Sequence, residues 1–363
     1  MTDHIYSPSD LIADRYFIEK FLAAGGMQEV YVATDRILKR KVAVKTPKND
    51  SASKRFKASA ALSARISHPY VAKTYDYLES SERAHLVEEL VPGCNLEEFI
   101  THTMPYPDSH LVAQCLHQLS MALRASHQVG VVHRDLKPSN IIVEQSSKGL
   151  EFKITDFGIA KLAEEELERA AKTQSTILNS STMFGALPYM SPEIIENPKK
   201  ADTPSDVWAL GAIIYRLMMG QAPFGEGLGA IPKIVSGILP VHPSRLSALN
   251  QFKPLTETLW AIIQKCFSMN PTERPTAFEL ADMAASVCYS TFPRRIGVVK
   301  SFPATTNGSF GYISTEGSDV FFHRDSYYDS KVEIGQKVYF SAHPGSPQDR
   351  AHPIVPIKKV INT

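Results

Sequence analysis

VVHRDLKPSNIIV, at Val131–Val143, and KITDFG, at Lys153–Gly158, are the two stretches that decide the fold of this chain. The first is a polar loop between two apolar runs, and the second follows it as a strand and a turn. Phosphoryl transfer needs a carboxylate to orient the acceptor hydroxyl, a lysine on the moving phosphate, and oxygen ligands for Mg²⁺. The two stretches supply these groups in order. The side chains concerned are Asp135, Lys137, Asn140 and Asp156.

These motifs and others that follow in a fixed order resemble the catalytic domain of protein kinases. The resemblance covers about Arg15 to Val287 and includes SPE at 191–193, DVWALG at 206–211 and an Arg-Pro pair at 274–275. It is greatest to bacterial Ser/Thr kinases, whose GGMGEVY motif reads GGMQEVY here. The resemblance implies an α+β fold with an antiparallel β N-lobe and a helical C-lobe. It also implies ATP and Mg²⁺, with Mn²⁺ as an alternative, as cofactors and protein Ser/Thr side chains as substrates.

The family's roles can be transferred to this chain residue by residue. Asp135 would orient the substrate hydroxyl and Lys137 would neutralise the γ-phosphate, while Asn140 and Asp156 would hold the metal. Lys45 of VAVK would reach the α- and β-phosphates. The other nucleotide-binding positions are Gly25, Gly26, Glu88 and Glu89.

Three further positions have structural roles in the family. Glu193 is expected to pair with Arg274, and Asp206 to cap the catalytic loop. The family's loop histidine is a packing residue, so His133 is not expected to act as a catalytic base.

Hydrophobic periodicity divides the chain into parts. Short runs of alternating apolar and polar residues predict strands from Tyr16 to Val91, helical spacing predominates from Asp108 to Val287, and short strands return after Phe292. We therefore predict an N-terminal extension at 1–14 and a kinase domain at 15–290, with lobes at 15–91 and 95–290. A small strand-rich domain follows at 295–361.

The chain departs from the kinase pattern at positions around the nucleotide. Ala23 and Gln28 replace two glycines of the phosphate-binding loop, and Ser59 stands where the family's helix αC has a glutamate. Lys45 therefore lacks its usual partner. Glu88 falls at the gatekeeper position, behind the nucleotide, and we predict that it approaches Lys45 in the nucleotide-bound state.

Two more features concern the activation segment. Ala186 replaces a threonine that would bond to the catalytic Asp and Lys. Arg134 offers a guanidinium that receives an activation-loop phosphate in this family. Autophosphorylation is expected within 173–182. The candidate sites are Thr173, Thr176 and Thr182.

The C-terminal strands resemble a cold-shock domain, which is a small all-β barrel of the OB type. GVVKSF, NGSFGYI, DVFFH and EIGQKVYF match the family's strand motifs in order. The resemblance implies a face on which bases of single-stranded RNA or DNA stack. The residues of that face would be Phe310, Tyr312, Phe321 and His323, with Phe302 as an extension.

The same domain departs from the cold-shock pattern. Ser301 replaces a stacking tryptophan and Gly308 replaces a lysine. From Arg294 onward there are nine Lys and Arg against six Asp and Glu, so the domain is only mildly basic. A protein-interaction or dimerisation barrel is the alternative. The short junction at Ser290–Arg295 is expected to hold the barrel against the C-lobe.

Composition limits the remaining possibilities. The chain has 363 residues, 39 Lys and Arg against 38 Asp and Glu, and four cysteines without a CxxC pair. No global field attracts nucleic acid or membrane, and neither a zinc knuckle nor a disulfide framework is indicated. We expect a cytoplasmic protein with no membrane segment. The oligomeric state cannot be predicted from these features.

Three functions are compatible with the sequence. The first is an active Ser/Thr kinase with a barrel that binds single-stranded nucleic acid and targets or regulates it. The others are a pseudokinase scaffold and an RNA-binding protein whose kinase domain acts as a nucleotide-dependent switch. The retained lysines and carboxylates favour activity. Weak or conditional activity is favoured by the residues at four departures from the family pattern, which are Ala23, Gln28, Ser59 and Ala186.

Overall fold

A computed structural model of the chain describes most of both lobes and of the barrel. The described residues are 4–25, 28–48, 56–57, 60–79, 83–104, 107–146, 149–157, 185–243, 253–287, 289, 294–302, 308–327, 331–345 and 348–357.

Six antiparallel strands form the N-lobe sheet, in the order β1-β2-β3-β4-β6-β5. Alternate residues of these strands face a core that includes Tyr16, Tyr31 and Val44. Leu11 and Ile12 pair with β2, so the predicted extension at 1–14 contributes a strand to the lobe. The strands are β1 Leu11–Ile12, β2 Tyr16–Ala24, β3 Gln28–Asp35, β4 Arg40–Pro47, β5 Thr74–Glu79 and β6 Ala84–Glu89.

The C-lobe is helical, as its periodicity predicts. Its first long helix begins where the Asp108 carboxylate accepts hydrogen bonds from the amides of His110 and Leu111. A second long helix ends at Gly220, whose φ of 74° is left-handed. The helices are α1 Leu96–Glu98, α2 Ser109–Gln128, α3 Pro192–Glu196, α4 Thr203–Met219, α5 Ala230–Val235, α6 Lys253–Cys266 and α7 Ala277–Ser286.

A small three-stranded sheet carries the catalytic motifs. It consists of β7 Cys94–Asn95, β8 Ile141–Ser146 and β9 Gly149–Ile154. β8 and β9 pair antiparallel with Ile141 opposite Ile154. Because VVHRDLKPSN ends where β8 begins and DFG begins where β9 ends, this pairing brings the two motifs together.

The C-terminal domain is a closed barrel of five strands, in the order β10-β11-β12-β14-β13. Its core contains Val299, Ile313, Phe322 and Phe340. Gly297 is required in β10, because a Cβ there would lie 2.4 Å from Cγ2 of Ile313. The strands are β10 Arg295–Ser301, β11 Phe310–Ser314, β12 Asp319–His323, β13 Lys337–His343 and β14 Arg350–Pro356.

The barrel packs against the C-lobe at the beginning of α2. Arg294 forms an ion pair of 2.6 Å with Asp108, and the two side chains are 6% and 1% exposed. Val355 of β14 is buried in the C-lobe core, and Tyr339 of β13 packs against it. These contacts confirm the predicted position of the barrel against the C-lobe.

Candidate active site

Lys45 is held by two carboxylates. In the pairing of β4 with β6, Lys45 lies opposite Leu86 and Ala43 opposite Glu88. Lys45 and Glu88 are therefore diagonal neighbours on one face of the sheet, within reach of each other's side chains. The Lys45 ammonium donates to Glu88 and, over 2.8 Å, to Oδ1 of Asp156. The structure thus contains the approach of Glu88 to Lys45 that we predict for the nucleotide-bound state.

Charge in this cluster follows from the balance of burial and pairing. Lys45 and Glu88 are 6% and 5% exposed. Burial opposes the positive charge of Lys45, but the carboxylates of Asp156 and Glu88 outweigh it and raise the pKa of the amine. Burial also opposes the charge of Asp156, yet the Lys45 ammonium holds the pKa of that carboxyl below its ordinary value. Lys45 and Asp156 are therefore charged at neutral pH.

The catalytic loop brings Asp135, Lys137 and Asn140 together. The Lys137 ammonium lies 2.8 Å from Oδ2 of Asp135, and the Asn140 amide donates to the backbone carbonyl of Asp135 over 2.8 Å. The backbone amide of Thr155 donates to the carbonyl of Asn140 over 2.9 Å, which fixes Asp156 beside the loop. One cleft therefore contains a carboxylate, an ammonium and two oxygen-donor side chains.

Buried contacts hold this loop in shape. The carboxylate of Asp206 accepts hydrogen bonds of 2.8 Å from the backbone amides of His133 and Arg134 and a third from the ring of His127. Arg134 has a φ of 67°, a conformation that this cap stabilises. The His133 ring is buried, bonds to the carbonyl of Thr155 and packs on Phe157. It is a packing residue, as predicted.

The residues of the cleft fit a divalent metal. Asp156 offers a carboxylate, and Asn140 keeps its carboxamide oxygen while its amide nitrogen bonds to Asp135. Mg²⁺ is commonly held by one or two such oxygen ligands together with substrate phosphates and waters. Among the residues that the structure describes, no cluster of three or more His, Cys, Asp or Glu could hold a metal without such help.

Comparison with known proteins identifies the family. The family model described as "Protein kinase domain" matches residues 16–284, which is most of the chain. The chain belongs to the protein kinase family. Its kinase domain also resembles in fold the crystal structure of Rad53 1-466 in complex with AMP-PNP, with a TM-score of 0.57 and 24% identity over 74% of this chain and 64% of that one.

Two curated relatives of the chain are bacterial kinases. The chain is 33% identical to the Serine/threonine-protein kinase pkn2 of Myxococcus xanthus, over 87% of this chain and 37% of the relative. It is 31% identical to the Serine/threonine-protein kinase PrkC of Bacillus subtilis, over 76% of this chain and 40% of the relative. The chain thus spans less than half the length of these relatives.

Two of the other predicted nucleotide-binding residues, Glu89 and Gly25, have described contacts. Glu89 ends β6, where its side chain accepts a 2.6 Å hydrogen bond from Lys153 and its amide donates to the carbonyl of Lys73. The amide of Gly25 donates to the carbonyl of Gln28 over 2.9 Å. Gly26 and Ser59 lie outside the described residues, as do Thr173, Thr176 and Thr182.

The predicted structural ion pair of the kinase C-lobe is confirmed. Arg274 donates two hydrogen bonds to Glu193, of 2.6 and 2.8 Å, and Ser205 donates a third over 2.8 Å. A second polar cluster was not predicted from the sequence. In it, Arg216 donates over 2.5 Å to both the Tyr189 hydroxyl and the Glu97 carboxylate.

Ala186 is buried beside the catalytic loop. It lines a small cavity together with Arg134, Asp135 and Leu136 on one side and Tyr189 and Asp206 on others. Its methyl group can donate no hydrogen bond to Asp135, which is the consequence predicted from the missing threonine.

The four candidate stacking residues share one face of the barrel. Phe310 lies opposite His323, and Tyr312 lies opposite Phe321. The rings of Phe310 and Phe321 stack with centroids 5.7 Å apart, and His323 is exposed. Phe302, predicted as an extension of this face, instead stacks on Phe322 of the barrel core, with ring centroids 5.8 Å apart.

Among the described residues, no helix is long and apolar enough to cross a membrane.

Proposed function

We propose that the chain is a Ser/Thr protein kinase that transfers the γ-phosphate of ATP to protein hydroxyls with Mg²⁺. The observation that carries this proposal is the convergence of Asp135 and Lys137 with Asp156, which is itself paired with Lys45. These are the side chains that orient an acceptor, neutralise a moving phosphate, hold a metal and anchor the other phosphates.

The proposal gives each residue a step. Asp135 accepts the hydrogen bond of the substrate hydroxyl, while its neighbour Lys137 offsets the negative charge that develops on the transferred group. Asn140 and Asp156 would hold the metal, which neutralises phosphate charge when bound. The Lys45 ammonium lies beside Asp156, and its hydrogen bond to Glu88 helps to hold it there.

A transfer assay tests this function. We expect the purified chain to place labelled phosphate from ATP on Ser and Thr of a generic protein substrate, and to lose this activity in EDTA. Nucleotide binding without any transfer would contradict the proposal and favour the pseudokinase alternative. The test separates the two because a scaffold needs the fold of the cleft but not its chemistry.

Restoring the missing threonine should increase the rate. We expect Ala186→Thr to raise kcat about two- to tenfold, because one hydrogen bond to Asp135 contributes roughly 0.5–1.5 kcal/mol. Ala186→Val has nearly the same shape without the hydroxyl and is the matched control. Equal rates for the Thr and Val variants would show that filling the cavity, rather than the hydrogen bond, matters.

We propose as a second function that the barrel binds single-stranded nucleic acid. The support is the common face of Phe310, Tyr312, Phe321 and His323. The barrel contacts the C-lobe through Arg294, β13 and β14, whereas the aromatic face lies on β11 and β12. Stacking contributes about 1–3 kcal/mol per base and accepts any base, so sequence preference should be weak.

A double substitution tests the barrel face. We expect Phe310→Ala with Phe321→Ala to weaken binding of a single-stranded oligonucleotide at least tenfold by fluorescence anisotropy, since two stacking contacts are removed. Leu228→Ala, at an exposed C-lobe residue, is the control. Equally weak binding by the double variant and the wild type would eliminate this function.

Occupation of the barrel could act on the kinase through the docked interface. Arg294 and Val355 connect the barrel to the start of α2 and to the C-lobe core. A phosphorylation rate that changes when the oligonucleotide binds would support regulation. Tight binding without a change in rate would make the barrel a targeting module.

A further inference from the structure

The side chain of Gln28 enters the metal-binding part of the cleft. Gln28 begins β3, directly after the phosphate-binding turn, and its Nε2 donates to Oδ1 of Asp156 over 3.1 Å. Oδ1 also accepts the 2.8 Å hydrogen bond from Lys45. A residue in a position that the kinase family fills with glycine thus contacts the carboxylate expected to hold the metal.

The other end of this carboxamide is unsatisfied. Oε1 of Gln28 is buried and meets no hydrogen-bond donor among the residues that the structure describes. A buried acceptor without a partner is costly, so hydrogen bonds do not hold the carboxamide in this orientation at both ends. Exchange of O and N by rotation of the terminal torsion moves the heavy atoms little, because the two ends of the amide have nearly the same shape.

The spacing suits a shared metal ion. Mg²⁺ has octahedral coordination with oxygen ligands at about 2.0–2.1 Å, so adjacent ligands are separated by about 2.9–3.0 Å. The distance from the Gln28 carboxamide nitrogen to Oδ1 of Asp156 is 3.1 Å. After rotation, Oε1 would occupy nearly that position, at a separation typical of neighbouring ligands.

Glu88 allows Asp156 to change partners. If the Asp156 carboxylate turns toward a cation, its hydrogen bond to Lys45 weakens. The buried Lys45 ammonium would then lose a negatively charged partner. Lys45 keeps the carboxylate of Glu88, which approaches it from β6. The lysine therefore remains paired whether or not Asp156 holds a metal.

We propose that Gln28 is a further metal ligand of this kinase, its carboxamide oxygen joining Asp156 and Asn140 when a divalent cation binds with the nucleotide. In the structure the same carboxamide donates a hydrogen bond to Asp156. The inference rests on the proposed function, because that function requires a cation at Asp156.

Metal affinity in the nucleotide complex tests this ligand without reference to activity. Mn²⁺ is titrated into the full chain with a non-hydrolysable ATP analogue, and free Mn²⁺ is followed by electron paramagnetic resonance. We expect Gln28→Ala to raise the Kd for Mn²⁺ about tenfold. Gln28→Glu, which retains an oxygen at that position, should bind Mn²⁺ at least as tightly as wild type. Gln221→Ala, at an exposed glutamine, is the control.

Other outcomes are equally informative. In EDTA these variants should bind the nucleotide analogue equally, because Gln28 is proposed to contact the cation and not the nucleotide. Wild-type or tighter Mn²⁺ binding by Gln28→Ala, with weakened binding by Asp156→Ala, would overturn this inference alone. Equal Mn²⁺ binding by wild type and Asp156→Ala would overturn the metal site of the proposed function together with it.

Discussion

Asp156→Ala should abolish metal-supported phosphoryl transfer, and Asp135→Ala should lower kcat about 10²–10⁴-fold with little change in nucleotide affinity. The two carboxylates act at different points. Asp156 lies beside Lys45 and would hold the cation, whereas Asp135 lies beside Lys137 and would orient the acceptor hydroxyl. Rates of labelled phosphate transfer, with nucleotide affinity measured separately, distinguish the two effects.

The control for this pair is a carboxylate remote from the cleft. Asp282 on α7 is 63% exposed and lies 3.6 Å from Arg124. Asp282→Ala should transfer phosphate at the wild-type rate. If Asp135→Ala and Asp156→Ala also labelled substrate at that rate, the assignment of the active site would be wrong.

Glu88→Met should lower kcat/KM about ten- to a hundredfold. Glu88 makes a charged hydrogen bond to Lys45, and such bonds contribute roughly 1.5–3 kcal/mol. Without it, Asp156 is the remaining carboxylate on the lysine, which draws the ammonium away from the phosphates and toward the metal ligand. Steady-state kinetics with varied ATP measure the loss.

Two variants frame that result. Glu88→Gln retains the shape and one acceptor and should lose less than Glu88→Met. Glu79→Met changes a 56% exposed glutamate at the end of the neighbouring strand β5 and should leave the kinetics unchanged. Full activity of Glu88→Met would mean that Lys45 needs no carboxylate other than Asp156.

Much of the site could be predicted because its motifs are short and local. VVHRDLKPSN and DFG lie at the adjoining ends of two paired strands, so their order along the chain indicates their proximity. The pairing of Lys45 with Glu88 was also predicted from the sequence. It follows from the lack of an acid at Ser59 and from two adjacent strands in the N-lobe sheet.

Other contacts depend on how remote segments pack. The sequence predicts Asp108 only as the start of the helical region, and the docked barrel shows that its carboxylate binds Arg294. Gln28 reads as a lost glycine, since nothing local indicates that its side chain reaches Asp156. Phe302 is predicted to extend the aromatic face, yet its ring stacks on Phe322 of the barrel core.

Glu88 also determines which small molecules the cleft can accept. Its ion pair with Lys45 would form the wall behind a bound nucleotide, and both side chains are almost inaccessible to solvent. An inhibitor that pushes an apolar ring past this wall would have to separate the pair, which costs several kcal/mol when one buried charge loses its partner. We therefore expect apolar back-pocket inhibitors to fail here. Compounds that direct a protonated amine at Glu88 should be selected instead.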